Sequence, residues 1–415
     1  MFHAGDSNRL LATYAVRAPQ GDVLAVARKF ATGQTVGTWL PVPGLTPEAR
    51  ARHEGRVVDV LEVPPREIGP ASDERYVLIT IAFPWENFGA SFAQLLTTLL
   101  GNDASTSVQA KLVSLELPAT FAGQFPGPRF GIDGVRERLG IFDRPILLNM
   151  IKPCLGFTPE VGAELFYETA LGGVDLIKDD ELLGDPDYCP VSERCVAYQQ
   201  AAKRVFEETG RKVGYLCNVS GPPKKMRDNA LRAAEAGVTG LMVNFVFTGF
   251  DAVAELAADP DLDLPIFGHS AGAGALCEAA ESGTDSFVLI GLLPRLAGID
   301  IVLYNTPYGG YPYAREKYIL MAERLKSEAL PVKPSMPAVG GGITPQLIPR
   351  LMRELGNDIV IAAGGSVQGH PQGAKAGGDA LRQAVDATLA GVSLKEYAAD
   401  HAELAAALAA WGDER

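Results

Sequence analysis

From Arg144 to Gly364 short apolar runs recur, each ending in polar or glycine-rich residues and each followed by a stretch with the spacing of an amphipathic helix. The runs end at Met150-Ile-Lys152, Leu176-Ile-Lys178, Tyr215-Leu-Cys-Asn218, Leu241-Met-Val-Asn244, Ile266-Phe-Gly-His269, Ile301-Val-Leu-Tyr-Asn305, Met336-Pro-Ala-Val-Gly340 and Ile359-Val-Ile-Ala-Ala-Gly364. Such runs suit parallel strands covered on both faces. Eight strand–helix units in about 250 residues predict a (β/α)8 barrel. A doubly wound open sheet of eight strands has the same alternation, and periodicity alone does not separate the two.

Upstream the order is different. Strand-like runs near Leu11–Val16, Val57–Val63, Tyr76–Phe83 and Lys111–Leu117 are interrupted by helical patterns at Gly21–Ala31 and Ser91–Leu100. This mixed order predicts an α+β, ferredoxin-like domain with an antiparallel sheet over residues 1–140. The barrel would occupy residues 141–415 and carry a C-terminal helical extension, with an alanine-rich last helix at Ala402–Ala410. Pro126-Gly127-Pro128 reads as a linker, followed by a short helix around Gly134–Leu139.

Composition narrows the function classes. The 415 residues are 47% hydrophobic and 21% charged, with a net charge of −13, which argues against nucleic acid or an anionic membrane as partner. No apolar run approaches the ~18 residues of a membrane span. Met1-Phe2-His3-Ala4-Gly5-Asp6 lacks the basic and apolar regions of a signal peptide. Five cysteines without CxxC spacing predict a reduced, cytoplasmic protein with neither a disulfide frame nor a structural zinc.

The chemistry concentrates in Gly172-Gly-Val-Asp-Leu-Ile-Lys178-Asp179-Asp180-Glu181. Alternation along a strand puts Lys178 and Asp180 on one side and Asp179 on the other, and Glu181 joins the first pair if the chain turns there. Four ionisable groups at a buried strand end are costly unless a charge sits among them. A hard, oxygen-seeking cation such as Mg²⁺ would be that charge; a surface ion-pair cluster is the plain alternative. On a barrel, Lys152, Lys178, Asp180, Glu181, Asn218, Asn244 and His269 would all lie on the catalytic rim. Gly340-Gly341-Gly342 and Gly364-Gly365-Ser366 end strands seven and eight, where barrels bind phosphate through backbone amides.

These residues carry a resemblance. Gly172–Glu181 resembles the strand-two motif of the RuBisCO superfamily, and Thr35-Val-Gly-Thr38-Trp39, Phe125-Pro-Gly-Pro-Arg-Phe-Gly-Ile132, Met150-Ile-Lys-Pro153, His269 and Gly364-Gly-Ser-Val-Gln-Gly-His-Pro371 match further blocks in order. The resemblance implies an α+β domain followed by a (β/α)8 barrel. It implies Mg²⁺ held by a CO₂-derived carbamate on Lys178 together with Asp180 and Glu181. Lys152 matches a proton-transfer lysine and His269 the histidine that ends strand five, for which a structural role is the alternative. Thr38, Trp39 and Asn102 match positions that reach a neighbouring subunit's barrel, implying a homodimer with shared active sites. Gly341, Gly342, Gly364, Gly365 and Ser366 match the phosphate loops.

The chain also departs from the carboxylases. Gly310 stands where their mobile loop after strand six carries a lysine, Cys154 replaces a second strand-one lysine, and Gly33 replaces a glutamate. Ser270, Leu303 and Gly340 stand at the distal phosphate site, without its two basic donors. The chain is thus similar to the RuBisCO-like, non-carboxylating branch. The expected activity is an Mg²⁺-dependent lyase or isomerase forming an enolate of a phosphorylated sugar-derived substrate. Decarboxylation of a β-keto sugar-acid phosphate, of the 3-oxo-isoapionate 4-phosphate type, leads. The alternatives are a methionine-salvage type enolase or isomerase of a methylthio-ketose phosphate, set back because Asn102 replaces its lysine base, a Schiff-base lysine mechanism, and a noncatalytic or regulatory role.

Overall fold

The structure, a computed structural model, describes residues 8–17, 21–63 and 76–412. The signal-peptide reading of Met1–Asp6 falls outside them. The described chain forms two compact units, the first comprising residues up to Pro126 with Gly272–Leu296 and Ala329–Val332, the second the remainder.

In the first unit, strands β1 (Arg9–Arg17), β2 (Arg56–Val63), β3 (Tyr76–Pro84) and β4 (Ala110–Glu116) form an antiparallel sheet in the order β2-β3-β1-β4. Alternation selects the buried face. Leu10, Ala12, Tyr14 and Val16 of β1 point inward, as do Val77, Ile79 and Ile81 of β3, with Tyr14 opposite Ile79. Helices Val23–Gly33 and Phe92–Leu100 supply Phe30, Leu95 and Leu99 to the core. The Tyr14 ring meets Phe30 edge-on at 4.8 Å and its hydroxyl donates to the Leu99 carbonyl at 2.9 Å, which satisfies that buried polar atom. Both helices lie where the sequence placed them. A helix at Pro47–His53 was not anticipated, although its signal was present: Thr46 caps the Ala49 amide and Pro47 takes the first turn.

In the second unit, β5 (Ile146–Met150), β6 (Leu176–Lys178), β7 (Gly214–Asn218), β8 (Gly240–Asn244), β9 (Ile266–His269), β10 (Ile301–Asn305), β11 (Met336–Gly340) and β12 (Val360–Ala363) are all parallel. β12 pairs with β5, Val360 opposite Ile146, and so closes the barrel. That pairing decides against the open sheet. Every predicted strand exists, with two boundary corrections: β5 stops at Met150, leaving Lys152 in the following loop, and β12 stops at Ala363, one residue before Gly364.

The barrel interior is filled by alternate strand residues, among them Ile146, Leu148, Leu176, Leu216, Met242, Phe267, Ile301 and Leu303. Val135 joins this cluster from helix Gly131–Leu139, with Phe130, Ile132 and Leu139 packed beside it. Asp300 fixes that helix. Its Oδ1 accepts the Phe130 and Gly131 amides, each at 2.8 Å, and its Oδ2 accepts the Ile266 amide at 2.9 Å. The C-terminal extension ends in helix Ala402–Trp411, held by His370, whose Nε2 lies 3.0 Å from the Glu403 carbonyl. Among the described residues no helix is long and apolar enough to cross a membrane.

Candidate active site

β6 positions the charged stretch. Leu176 faces the barrel core, so Lys178, two residues on, shares its side and emerges where the strand ends. Lys178 is fully buried, its Nζ donating to the Asp179 carbonyl at 2.8 Å and lying 3.6 Å from Glu181 Oε2. Burial pulls its pKa below the ordinary lysine value, against the attraction of Glu181, Asp180 and Asp179. Asp180, also buried, accepts Lys152 Nζ at 2.7 Å through Oδ2 and the Leu182 amide at 3.2 Å through Oδ1. Burial alone would push the Asp180 carboxyl up, but the Lys152 hydrogen bond and its other donors hold it below the usual carboxylate range.

Lys152 comes from the loop after β5 and its ammonium touches both Asp180 and Cys154 Sγ, the latter at 3.0 Å. Desolvation opposes its proton, yet the Asp180 contact raises its pKa above the ordinary value. A methyl group on Gly364 would lie 2.9 Å from Met150 Cγ and 3.3 Å from Lys152 Cε, so the glycine leaves room for the lysine stem. His269 ends β9 with Nε2 3.3 Å from Glu181 Oε2, while its Nδ1 accepts the Ala271 amide at 3.1 Å. An accepting Nδ1 places the proton of the neutral ring on Nε2, pointing at Glu181. Desolvation, with Lys178 nearby, lowers the His269 pKa well below its ordinary value, so the ring is neutral and the Glu181 contact is a hydrogen bond rather than an ion pair.

The structure thus gathers Lys152, Lys178, Asp180, Glu181 and His269 at one barrel mouth. It also explains Asp179, the carboxylate on the other side. Asp179 is buried with Arg194, also fully buried, at 3.1 Å, and accepts the Tyr215 hydroxyl at 2.8 Å and the Asn218 amide at 2.8 Å. Asn218 Nδ2 in turn donates to the Asp180 carbonyl, and Asn244 Nδ2 donates to the Glu181 carbonyl at 2.8 Å. Arg194 and Tyr215, which brace this platform, were missed from the sequence. They stand 15 and 36 residues beyond Asp179, and no spacing rule links them.

The glycine loops take the expected places after β11 and β12. Gly341 and Gly342 have φ of +84° and +91°. Ser366 donates its hydroxyl to the Ile343 carbonyl at 2.6 Å and so ties the two loops together. Leu303 is core, 3% exposed, with Gly340 beside it. Thr38, Trp39 and Asn102 belong to the first unit. There Thr38 Oγ1 accepts the Leu40 amide at 3.0 Å, Trp39 is 62% exposed beneath Lys29, and Asn102 is exposed just before an irregular helical turn at Asp103–Val108. Gly33, where carboxylases have a glutamate, packs so closely on Asp103 that a Cβ would lie 2.2 Å from Oδ2.

Among the described residues no three His, Cys, Asp or Glu side chains converge as a ready metal cluster. Asp180 and Glu181 offer two hard oxygen donors with the buried Lys178 amine beside them, the latter 3.6 Å from Glu181 Oε2.

Comparison with known proteins gives a consistent result. A family model described as ribulose bisphosphate carboxylase large chain, catalytic domain, matches residues 131–411. The chain is 43% identical over 396 residues, 94% of its length and 90% of the other's, to a ribulose bisphosphate carboxylase-like protein of Archaeoglobus fulgidus. It is 38% identical over 408 residues, 97% of its length and 98% of the other's, to a 2,3-diketo-5-methylthiopentyl-1-phosphate enolase of Geobacillus thermodenitrificans. The crystal structure of a rubisco-like protein (MtnW) from Alicyclobacillus acidocaldarius superposes with a TM-score of 0.90 at 39% identity, over 97% of this chain and 100% of that one.

Proposed function

The chain belongs to the RuBisCO large-chain family and is an enzyme of that superfamily; on that premise we propose that it enolises a phosphorylated diketone of the methylthio-ketose type. This reading moves ahead of the β-keto-acid decarboxylation favoured by the residues alone. Its support is the likeness to an enolase along 97% of the chain. The site observation that carries it is Lys152 Nζ, 2.7 Å from Asp180 and beside the Lys178–Glu181 platform: a proton carrier adjoining hard oxygen donors.

Lys178, Asp180 and Glu181 would hold Mg²⁺, and the buried, pKa-lowered amine of Lys178 fits conversion to a carbamate, since CO₂ adds only to a neutral amine. When bound, the cation would polarise the substrate carbonyl and stabilise the enolate. Lys152 moves the proton. Held protonated by Asp180, it is an acid as it stands, and it accepts a proton only when Asp180 is engaged elsewhere. Asn102 has no basic atom, so abstraction cannot fall to that position and rests on the barrel. His269 donates Nε2–H to Glu181 and fixes its orientation. Gly341, Gly342, Gly364, Gly365 and Ser366 would bind the phosphate through backbone amides. A second copy of the chain would bring Thr38, Trp39 and Asn102 to the site, making a homodimer the working unit.

The protonated state of Lys152 is also the observation that supports the second reading, because loss of CO₂ needs a proton donor but no base. One experiment separates the two. The protein is incubated in D₂O with Mg²⁺ and bicarbonate, with 2,3-diketo-5-methylthiopentyl 1-phosphate or a β-keto sugar-acid phosphate, and followed by NMR. Enolisation puts deuterium at the carbon next to the carbonyl, and Lys152→Met slows this about 10²–10⁴-fold. Release of CO₂ without diketone exchange would move the assignment to decarboxylation. Turnover insensitive both to EDTA and to Lys178→Ala would sink metal-assisted enolate chemistry in either form.

A further inference from the structure

The loop that follows β10 is built differently along its length. Its first half is fastened. The Thr306 amide donates to the Gly340 carbonyl at 3.0 Å, and the Tyr308 amide to Thr306 Oγ1 at 3.2 Å. The Tyr308 hydroxyl lies 2.7 Å from both oxygens of Glu354, on helix Ile348–Leu355. Glu354 also receives Arg315 at 2.9 Å and Arg350 at 3.4 Å, and the Arg350 guanidinium stacks over the Tyr308 ring at 4.1 Å. Burial would raise the Glu354 carboxyl, but these donors hold it below its usual range. The tip, by contrast, is open: a Cβ on Gly310 would meet nothing within 4 Å, and Tyr311 is 76% exposed.

Between these halves the loop rests directly on backbone. A Cβ on Gly309 would sit 1.3 Å from the Gly341 carbonyl oxygen, and one on Gly342 3.0 Å from Gly309 Cα. Backbone cannot swing aside as a side chain does, so no side chain fits at position 309 while the two loops touch. Gly341 and Gly342 reach this contact only through positive φ.

We propose that Tyr308 and Glu354 are positioning residues that lock residues 305–309 onto the Gly340–Gly342 loop, so that the phosphate cradle is preformed and this part of the loop does not open and close during turnover. The proposal rests on the reading of Gly341 and Gly342 as phosphate-binding. A cradle already ordered spares substrate binding the entropy of ordering it, and the effect falls on affinity rather than on chemistry.

Amide hydrogen exchange tests the lock without assuming the reaction. In the wild-type protein, the amides of Thr306, Tyr308 and Gly309 and those at 341–343 exchange slowly, and inorganic phosphate leaves the first three unchanged. Tyr308→Phe, which keeps the ring over Arg350, and Glu354→Gln each speed exchange in both loops at least tenfold, while exchange across β5–β8 stays as in the wild type. With 2,3-diketo-5-methylthiopentyl 1-phosphate the variants raise KM about tenfold and change kcat less than twofold, and Glu354→Asp restores part of the affinity. Fast wild-type exchange at Thr306, Tyr308 and Gly309 that slows on adding phosphate identifies a closing lid and overturns the proposal; so does a folded variant with unaltered exchange. A fall in kcat at constant KM also overturns it, since that would place Tyr308 in the chemistry. Expected exchange behaviour without turnover of the diketone refutes the enolase reading and leaves the lock standing.

Discussion

At the scale of single residues, burial and partner choice explain why adjacent carboxylates have different duties. Asp179 and Asp180 are neighbours in the chain, yet one faces Arg194 behind the strand and the other faces Lys152 at the mouth. The Asp179–Arg194 pair is fully buried, so removing one partner leaves an uncompensated charge. Arg194→Met is expected to lower the unfolding free energy by about 3–5 kcal/mol in chemical denaturation, and the double replacement Arg194→Met with Asp179→Leu should recover part of it. His269 has a pKa lowered from about 6.5 by desolvation. Its contribution to stability is therefore present above pH ~6.5 and is lost as pH falls through that value towards the folded pKa, because the unfolded chain takes up the proton first. Nitrogen NMR should show a neutral ring with the proton on Nε2 at pH 6, and the acid loss of stability should shrink in His269→Gln. The carboxylate duties could be anticipated from strand alternation alone. The identity of the Asp179 partners could not, since Arg194 and Tyr215 meet it only through packing.

At the scale of elements, the apolar runs of the second half were sufficient to place eight strands, because a parallel strand buried on both faces has a composition that little else in a globular chain shares. Boundaries slipped where side-chain chemistry and strand geometry part: Lys152 ends an apolar run but lies beyond β5. The helix Gly131–Leu139 was visible as a short helix, but nothing in its sequence says that it closes the barrel interior. That role depends on Asp300, some 170 residues away, taking its first two amides. Asp300→Ala leaves the Phe130, Gly131 and Ile266 amides without their acceptor. At about 1–3 kcal/mol for a buried unsatisfied donor, stability should drop by at least ~3 kcal/mol, measured by denaturant unfolding followed by far-UV dichroism. A drop below ~1 kcal/mol would mean that water replaces the carboxylate.

At the scale of the whole molecule, the proposed sharing of the active site between two copies would make activity depend on pairing. If Asn102 of one copy serves the Lys178 platform of the other, mixing inactive Asn102→Ala and Lys178→Ala subunits should restore about a quarter of wild-type activity: half of the dimers are mixed, and each holds one intact site. No recovery on mixing, with each variant dimeric by sedimentation, would confine each site to one chain. The sequence by itself determined the two-part architecture, the eight strands and the cluster of Lys178, Asp180 and Glu181, because burial periodicity and side-chain alternation are local properties written within a few residues. Tertiary structure alone decided that the strands close through β12 and β5, that Arg194 braces Asp179, that Gly364 makes room for Lys152, and that Gly309 lies on Gly341. Those contacts join residues from 15 to more than 200 positions apart, and only the folded chain brings them within bonding or van der Waals distance.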